Sequence, residues 1–142
     1  GILGPWATTG SGATLNYVTN SATGAISAFT NQIPATAADL SNVTDANVNY
    51  SFVNTTGGAT LTGPIAANTL RVTSSTTGGT GDTTTIANPA GNSITLNGLI
   101  GVGSGRTAIS GTGNLVIGAS RVLDSTKSSI LSQVFQAVGD DI

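Results

Sequence analysis

Between residues 13 and 120 one arrangement of side chains keeps returning: a few residues in which apolar and small polar groups alternate, closed by glycine or asparagine. The runs are ATLNYV (13–18), AISAF (25–29), NVNYSFV (47–53), ATLTG (59–63), NTLRVTS (68–74), TTTIAN (83–88), SITLNG (93–98), LIGVGS (99–104), TAISG (107–111) and NLVIGAS (114–120). A period of two sends successive side chains to opposite faces, so each run reads as a strand with one buried face. Centres about 7 to 14 residues apart suit a sandwich, a barrel or a solenoid.

The turns favour the solenoid. Asn-Gly and Asp-Gly, which close tight hairpins, are nearly missing, Asn97-Gly98 being the one instance. From residue 93 onward very short strands are expected, with single glycines or Gly-Ser-Gly between them. Strands that turn corners through Gly and Asn, instead of reversing, describe a coil of parallel strands. Its inward residues would be Ile94, Leu96, Ile100, Val102, Ile109, Leu115 and Ile117, with Ser, Thr and Asn outside. No exact repeat length can be read.

Two segments depart from the alternation. Residues 31–46 (NQIPATAADLSNVTDA) read as a loop with a short helical turn at ATAADL. In DSTKSSILSQVFQAVGDD (124–141), Ile130, Leu131, Val134, Phe135 and Val138 fall on one helical stripe. Asp124 or Ser125 suits the start of that helix and Gly139 its end. A helix this short needs a surface to dock on, either the last rung of its own chain or a neighbour. The expected organisation is a β-solenoid domain over 1–123 and an amphipathic C-terminal helix over 124–142.

Composition narrows the functions. Charged residues are 7% of the chain and the net charge is −2, with no histidine, cysteine or methionine. Disorder normally goes with low hydrophobicity and high net charge, whereas 38% of these residues are hydrophobic. Without cysteine there is neither a disulfide nor a thiolate metal site, and without histidine the commonest general base and metal ligand is gone. Four basic residues in an acidic chain leave no footprint for nucleic acid. No run approaches a membrane span of 18 apolar residues. With no methionine at position 1, the chain reads as a processed product or an excised segment.

The order of motifs carries a resemblance. ILGPWAT near the start, AISAF, the NTLRV strand and the run SITLNGLIGVGSGRTAISGTGNLVIGAS occur in sequence over residues 1–120. This resembles the autotransporter-associated β-strand repeat proteins, large secreted or surface proteins of bacteria. There a Gly-Pro-Trp-Ala segment precedes asparagine-rich strands, and a segment like sLRL leads into TLtL-sGgi-gsG-tisGG-L. The resemblance implies a right-handed parallel β-helix, exported, with no catalytic residues to carry over. Residues 121–142 depart from the family pattern, and the short unit reads as a self-contained building block.

Candidate sites reduce to architecture on the same reading. Trp6 reads as a hydrophobic plug, the alternative being a platform for stacking carbohydrate. Tyr17, Phe29, Tyr50 and Phe52 are expected to pack beneath the N-terminal strands. The acids are scattered singly apart from Asp140-Asp141, so no pair occupies one strand face as acid–base or calcium-assisted work would need. GVGSGR (101–106) lacks the G-K-[ST] ending of a phosphate loop and reads as a corner. No regular outward Thr-x-Thr ladder is visible for binding ice or crystalline polysaccharide. The sequons at Asn42, Asn49 and Asn54 are candidate glycan acceptors, although a chain so rich in Asn and Thr is also expected to hold them by chance.

The leading expectation is therefore an extracellular, cell-surface structural subunit, not an enzyme and without a metal or cofactor. Its partners are copies of itself, joined head to tail into a filament or sheath, strand insertion being one route. GILGPWATTG is apolar and uncharged, the opposite of a protective cap, and marks an open end. The contacts would be Ile2, Leu3, Trp6, Ile130, Leu131, Val134, Phe135 and Val138. The alternative is a monomeric adhesin whose partner is a cell-surface polysaccharide, and a third is the remnant of a polysaccharide lyase.

Overall fold

The computed structural model describes residues 1–5, 7–54, 57–74, 83–103 and 105–124, and more than half of those residues lie in strands. Three short ones come first: β1 (Thr8–Thr9), β2 (Asn16–Asn20) and β3 (Ile26–Ala28), with a single 3-10 turn at Gly12–Thr14. They pair antiparallel in the order β1-β2-β3. There follow β4 (Ile33–Pro34), β5 (Thr44–Val53), β6 (Gly58–Thr60), β7 (Ile65–Thr73), β8 (Thr83–Ala87), β9 (Ser93–Val102), β10 (Arg106–Ser110) and β11 (Asn114–Asp124). All of these pair parallel, β11-β9-β7-β5-β4 in one sheet and β10-β8-β6 in the other.

From β5 onward the chain alternates between the two sheets. Each return lays a strand beside the one before, in register: Tyr50 lies opposite Leu70, and Leu70 opposite Leu99. These partners are twenty and then twenty-nine positions apart, so the passes differ in length and no fixed repeat exists to be found. Most of the extra length sits at one corner. Thr73 pairs with Val102 while Thr83 pairs with Arg106, ten positions on one level against four on the next.

The core lies between the sheets and is made of columns. Ile65, Ile94 and Leu115 share one, Ala67, Leu96 and Ile117 another, and Ala59, Ile86 and Ile109 face them from the smaller sheet. Ile65, Ile86, Ile94 and Leu96 are all buried, each contributing about 1.5–3 kcal/mol over an exposed position. The alternation slips once in β7 and once in β9. Thr69 and Leu70 are both buried, as are Leu99 and Ile100. Leu70, Leu99 and Val72 point inward, and Gly101, opposite Val72, meets Thr107 of the facing sheet.

Ile100 and Val102, expected inside, therefore face outward. They are nonetheless buried, because the antiparallel sheet lies over them with Leu15, Tyr17 and the half-buried Ile2 and Phe29. Arg71, on the same outer face, fastens the cover. Its Nε donates to the Leu15 carbonyl at 2.9 Å and its Nη2 to that of Ala13 at 3.0 Å, while Nη1 donates to the Thr73 hydroxyl. Burial pushes the Arg71 guanidinium down from its usual value.

Polar columns occupy the bends. Asn97 donates to Asn68 at 3.2 Å and Asn68 to Asn49 at 3.0 Å, an amide ladder crossing three levels. Above it stands Gly118, where any Cβ would overlap the Asn97 amide. At the opposite bend Gly111 has a φ of 105°, and a Cβ there would run into the Asn88 carbonyl.

Several expectations are corrected. Residues 93–98 and 99–104 do not form two strands: β9 runs unbroken from Ser93 to Val102, and β11 has eleven residues. The strands before residue 30 reverse and pair antiparallel, apart from the parallel stack. Residues 31–46 are not simply loop, since they hold β4 and the start of β5, and ATAADL makes one turn closed by Leu40 N–H on the Thr36 carbonyl. Of the aromatics, Tyr17 and Phe29 belong to the N-terminal cover but Tyr50 and Phe52 to the main core. Asp124 is the last residue of β11, and the expected helix that follows it lies outside the described residues.

Candidate functional site

Open parallel sheets have two ends, and here the ends differ. At the lower end, below β5 and β6, residues 33–43 fold across the stack. Ala35 N–H donates to the Ser51 carbonyl of the larger sheet and Thr60 N–H of the smaller sheet donates to the Ala38 carbonyl. The Asn42 amide holds the segment closed, accepting from Thr36 N–H at 2.7 Å and donating to the Pro34 carbonyl at 2.9 Å. Leu40 is driven into the core, fully buried, with a φ of 54°. A left-handed conformation costs a branched residue about 1–2 kcal/mol. Burying the leucine side chain returns about 1.5–3 kcal/mol, so the plug holds.

The same end is poor in strand edge. β4 has two residues, one of them Pro34, which has no N–H to offer a neighbour. β5 bulges between Asp45 and Asn49, where Asn47 N–H donates to the Asp45 carboxylate at 2.8 Å. Asp39 accepts from Ser41 N–H at 3.0 Å; the Ser41 backbone and hydroxyl bonds hold its carboxyl below the ordinary value.

The upper end is the contrary case. β10 and β11 bound it, and among the described residues no strand pairs with their outer edges. Ile109, Leu115 and Ile117 end the apolar columns half-buried, where Ile86, Ile94 and Leu96 one level down are shut off from solvent. Val116, between them on the outer face, is 48% exposed. Arg106 stands exposed at the start of β10, opposite in sign to Asp39 and Asp45 at the other end.

Elsewhere the polar groups are committed to structure. Asn49 belongs to the amide ladder, and Asn54 is buried and donates to the Thr84 hydroxyl at 3.0 Å. Both of those sequons are therefore structural, and the Asn42 amide is the tie of the lower cap. Outward columns on the smaller sheet run Gly58, Thr85, Ala108 and Thr60, Ala87, Ser110, which breaks any threonine ladder. Gly101 and Val102 end β9 and Arg106 opens β10, so GVGSGR runs from one strand to the next. Among the described residues no three acids cluster to hold a metal ion, and no helix is long and apolar enough to cross a membrane.

The expected assembly contacts are only partly placed. Ile2 is half-buried over Ile100 and Val102, and Leu3 is 45% exposed. Both lie on the flank of the stack, where Ile2 bridges Thr19 and Leu3 N–H bonds Val18. The reading of GILGPWATTG as an open end is corrected accordingly, since residues 33–43 occupy the lower end. Trp6, Ile130, Leu131, Val134, Phe135 and Val138 lie outside the described residues. Sequence reasoning missed Leu40 and Asn42. Their signal was a lone apolar residue between Asp39 and Ser41, with Pro34 and Asn42 bracketing a segment that had lost its alternation.

No protein-family model matches this chain, and no curated protein or solved structure is significantly similar to it.

Proposed function

We propose that the chain is a structural subunit, a right-handed parallel β-solenoid that joins copies of itself end to end outside the cell. The single observation that carries this reading is the unequal pair of ends: a long unpaired strand edge at one, a short charged cap at the other. The alternation between two parallel sheets supports a solenoid, and the strong preference of parallel crossovers for one hand supports the right-handed sense. The resemblance to autotransporter-associated repeats supports export.

Contacts between unlike ends are heterologous, and such contacts extend into filaments when they do not close. Arg106 at the upper end faces Asp39 and Asp45 of the next copy in this arrangement, and β11 supplies the edge that the next copy extends. Low overall charge leaves little repulsion to oppose the approach.

A charge exchange tests this. Wild-type protein should form fibres in negative-stain images. Asp39→Lys with Asp45→Lys should give monomers in sedimentation at low salt, and so should Arg106→Glu. Mixing the two variants should restore association, because one kind of junction is again complementary. Wild-type protein that stays a compact monomer at high concentration, or a mixture no more associated than its components, would refute the proposal.

A further inference from the structure

The lower cap conceals a strand edge, and the larger sheet shows which strand fits that edge. Ala35 turns its N–H to Ser51 of β5, so Pro34 before it faces the open side of β4. That side has no N–H to give, and its carbonyl is taken by the Asn42 amide. In the smaller sheet the Thr60 N–H is held by the Ala38 carbonyl. The closure rests on these bonds and on Leu40, whose φ of 54° is the one positive value outside glycine among the described residues. Such a backbone persists only while its surroundings impose it.

Behind the cap lies β5, and its irregularity has a counterpart. β7 and β9 keep one register from Ile65 and Ile94 to Thr73 and Val102. β5 departs from it between Asp45 and Asn49, opposite Ala67 and Thr69. β11, at the far end, departs from it between Ile117 and Val122, opposite Leu96 and Gly98. Ala67 pairs with Leu96 and Thr69 with Gly98, so the two bulges stand in the same columns. A bulged edge turns ordinary strands away. A strand that bulges in the same place is the exception.

We infer that residues 33–43 are a releasable latch over β5, and that the strand they exclude is β11 of a second copy, seated bulge against bulge. In that register Thr44 and Asp45 lie opposite Val116 and Ile117, and Tyr50 and Ser51 opposite Leu123 and Asp124. β4 already occupies Tyr50 and Ser51, so latch and incoming strand compete for the same positions. Asn42 is the release point, because it ties both arms of the segment, Thr36 at 2.7 Å and Pro34 at 2.9 Å. The inference rests on the assembly reading and adds its control: a closed copy presents β11 but hides the edge that receives it.

The test uses the full chain and a fluorescent peptide of residues 114–124. Asn42→Ala should speed exchange of the Ala35 and Thr60 amides about tenfold, with β7 and β9 unchanged. The same variant should bind the peptide about tenfold more tightly than wild type by fluorescence anisotropy. Leu40→Ala, which withdraws the plug and keeps the Asn42 amide, should act in the same way. A peptide without residues 118–120, and so without the bulge, should bind about tenfold more weakly. Unchanged exchange, no gain in peptide affinity, or equal binding of the straightened peptide would overturn the inference. Fibre growth separates the two readings. Wild-type fibres with no shorter lag in Asn42→Ala would sink the latch alone. Tight peptide binding by Asn42→Ala with no fibres from either protein would uphold the latch and sink the assembly.

Discussion

The parallel stack and the antiparallel sheet laid on its flank are made from similar residues, yet they are held in different ways. In the stack, Leu70 lies in register between Tyr50 and Leu99, and fourteen buried side chains form one continuous cluster. In the flanking sheet four buried residues do the work, two of them borrowed from β9, and all three residues of β3 are exposed. Every strand of the stack from β7 to β9 has partners on both edges, whereas the flanking sheet ends at β3. The lesson is that a ladder stabilises itself, while the flanking sheet is stable only as cladding, through Ile100, Val102 and Arg71.

That contrast can be broken or sharpened by substitution. Leu70→Ala should cost about 2–5 kcal/mol, because a cavity opens in the central strand of the larger sheet. Denaturant unfolding should show stack and cladding lost together; a flanking sheet that outlives the stack would break the comparison. Asn68→Ala removes the middle of the amide ladder and leaves Asn97 and Asn49 without that partner, for about 1–3 kcal/mol. Its effect should appear in the stack alone.

Arg71→Ala should act on the cladding. Loss of charged hydrogen bonds to the Leu15 and Ala13 carbonyls costs about 1.5–3 kcal/mol locally. Amides of β2 and β3 should exchange faster with β5 and β7 unchanged, and uniform loss across both regions would argue against separable units. Gly111→Ala should cost about 1 kcal/mol or somewhat more, since the left-handed bend is strained for alanine and Asn88 must give way. Acid should have the smallest effect. The folded Asp39 carboxyl is held below its ordinary value of 3.8, so its contribution is present above that value and fades as pH falls below about 4. Between pH 6 and pH 3 the Ser41 amide should lose protection in the wild type, and Asp39→Asn should flatten that response.

Much of this layout was legible in the chain. Alternation located β2, β3 and β5 to β11, and the shortage of hairpin dipeptides pointed to parallel pairing, because both are local properties of the strand. Ile100 and Val102 were misplaced because the alternation slips at Gly98-Leu99. A shift of one residue sends every later side chain to the other face, and only the register with Thr69-Leu70 reveals it. The cladding escaped notice for a similar reason: Leu15 and Tyr17 look like any half-buried strand, and nothing local says which surface they will cover. Leu40 was hidden most deeply, since its left-handed backbone is imposed by the cap around it and contradicts its own preference. The unequal ends, on which the candidate site rests, are properties of the stack and of no single segment.

The uneven corner between Ser74 and Thr83 carries a consequence of its own. Pairing constrains only the residues that lie opposite one another, and in general doubling the length of a connection costs only about 0.6 kcal/mol. A chain built on this plan can therefore differ in length from level to level while Thr73 stays opposite Val102 and Thr83 opposite Arg106.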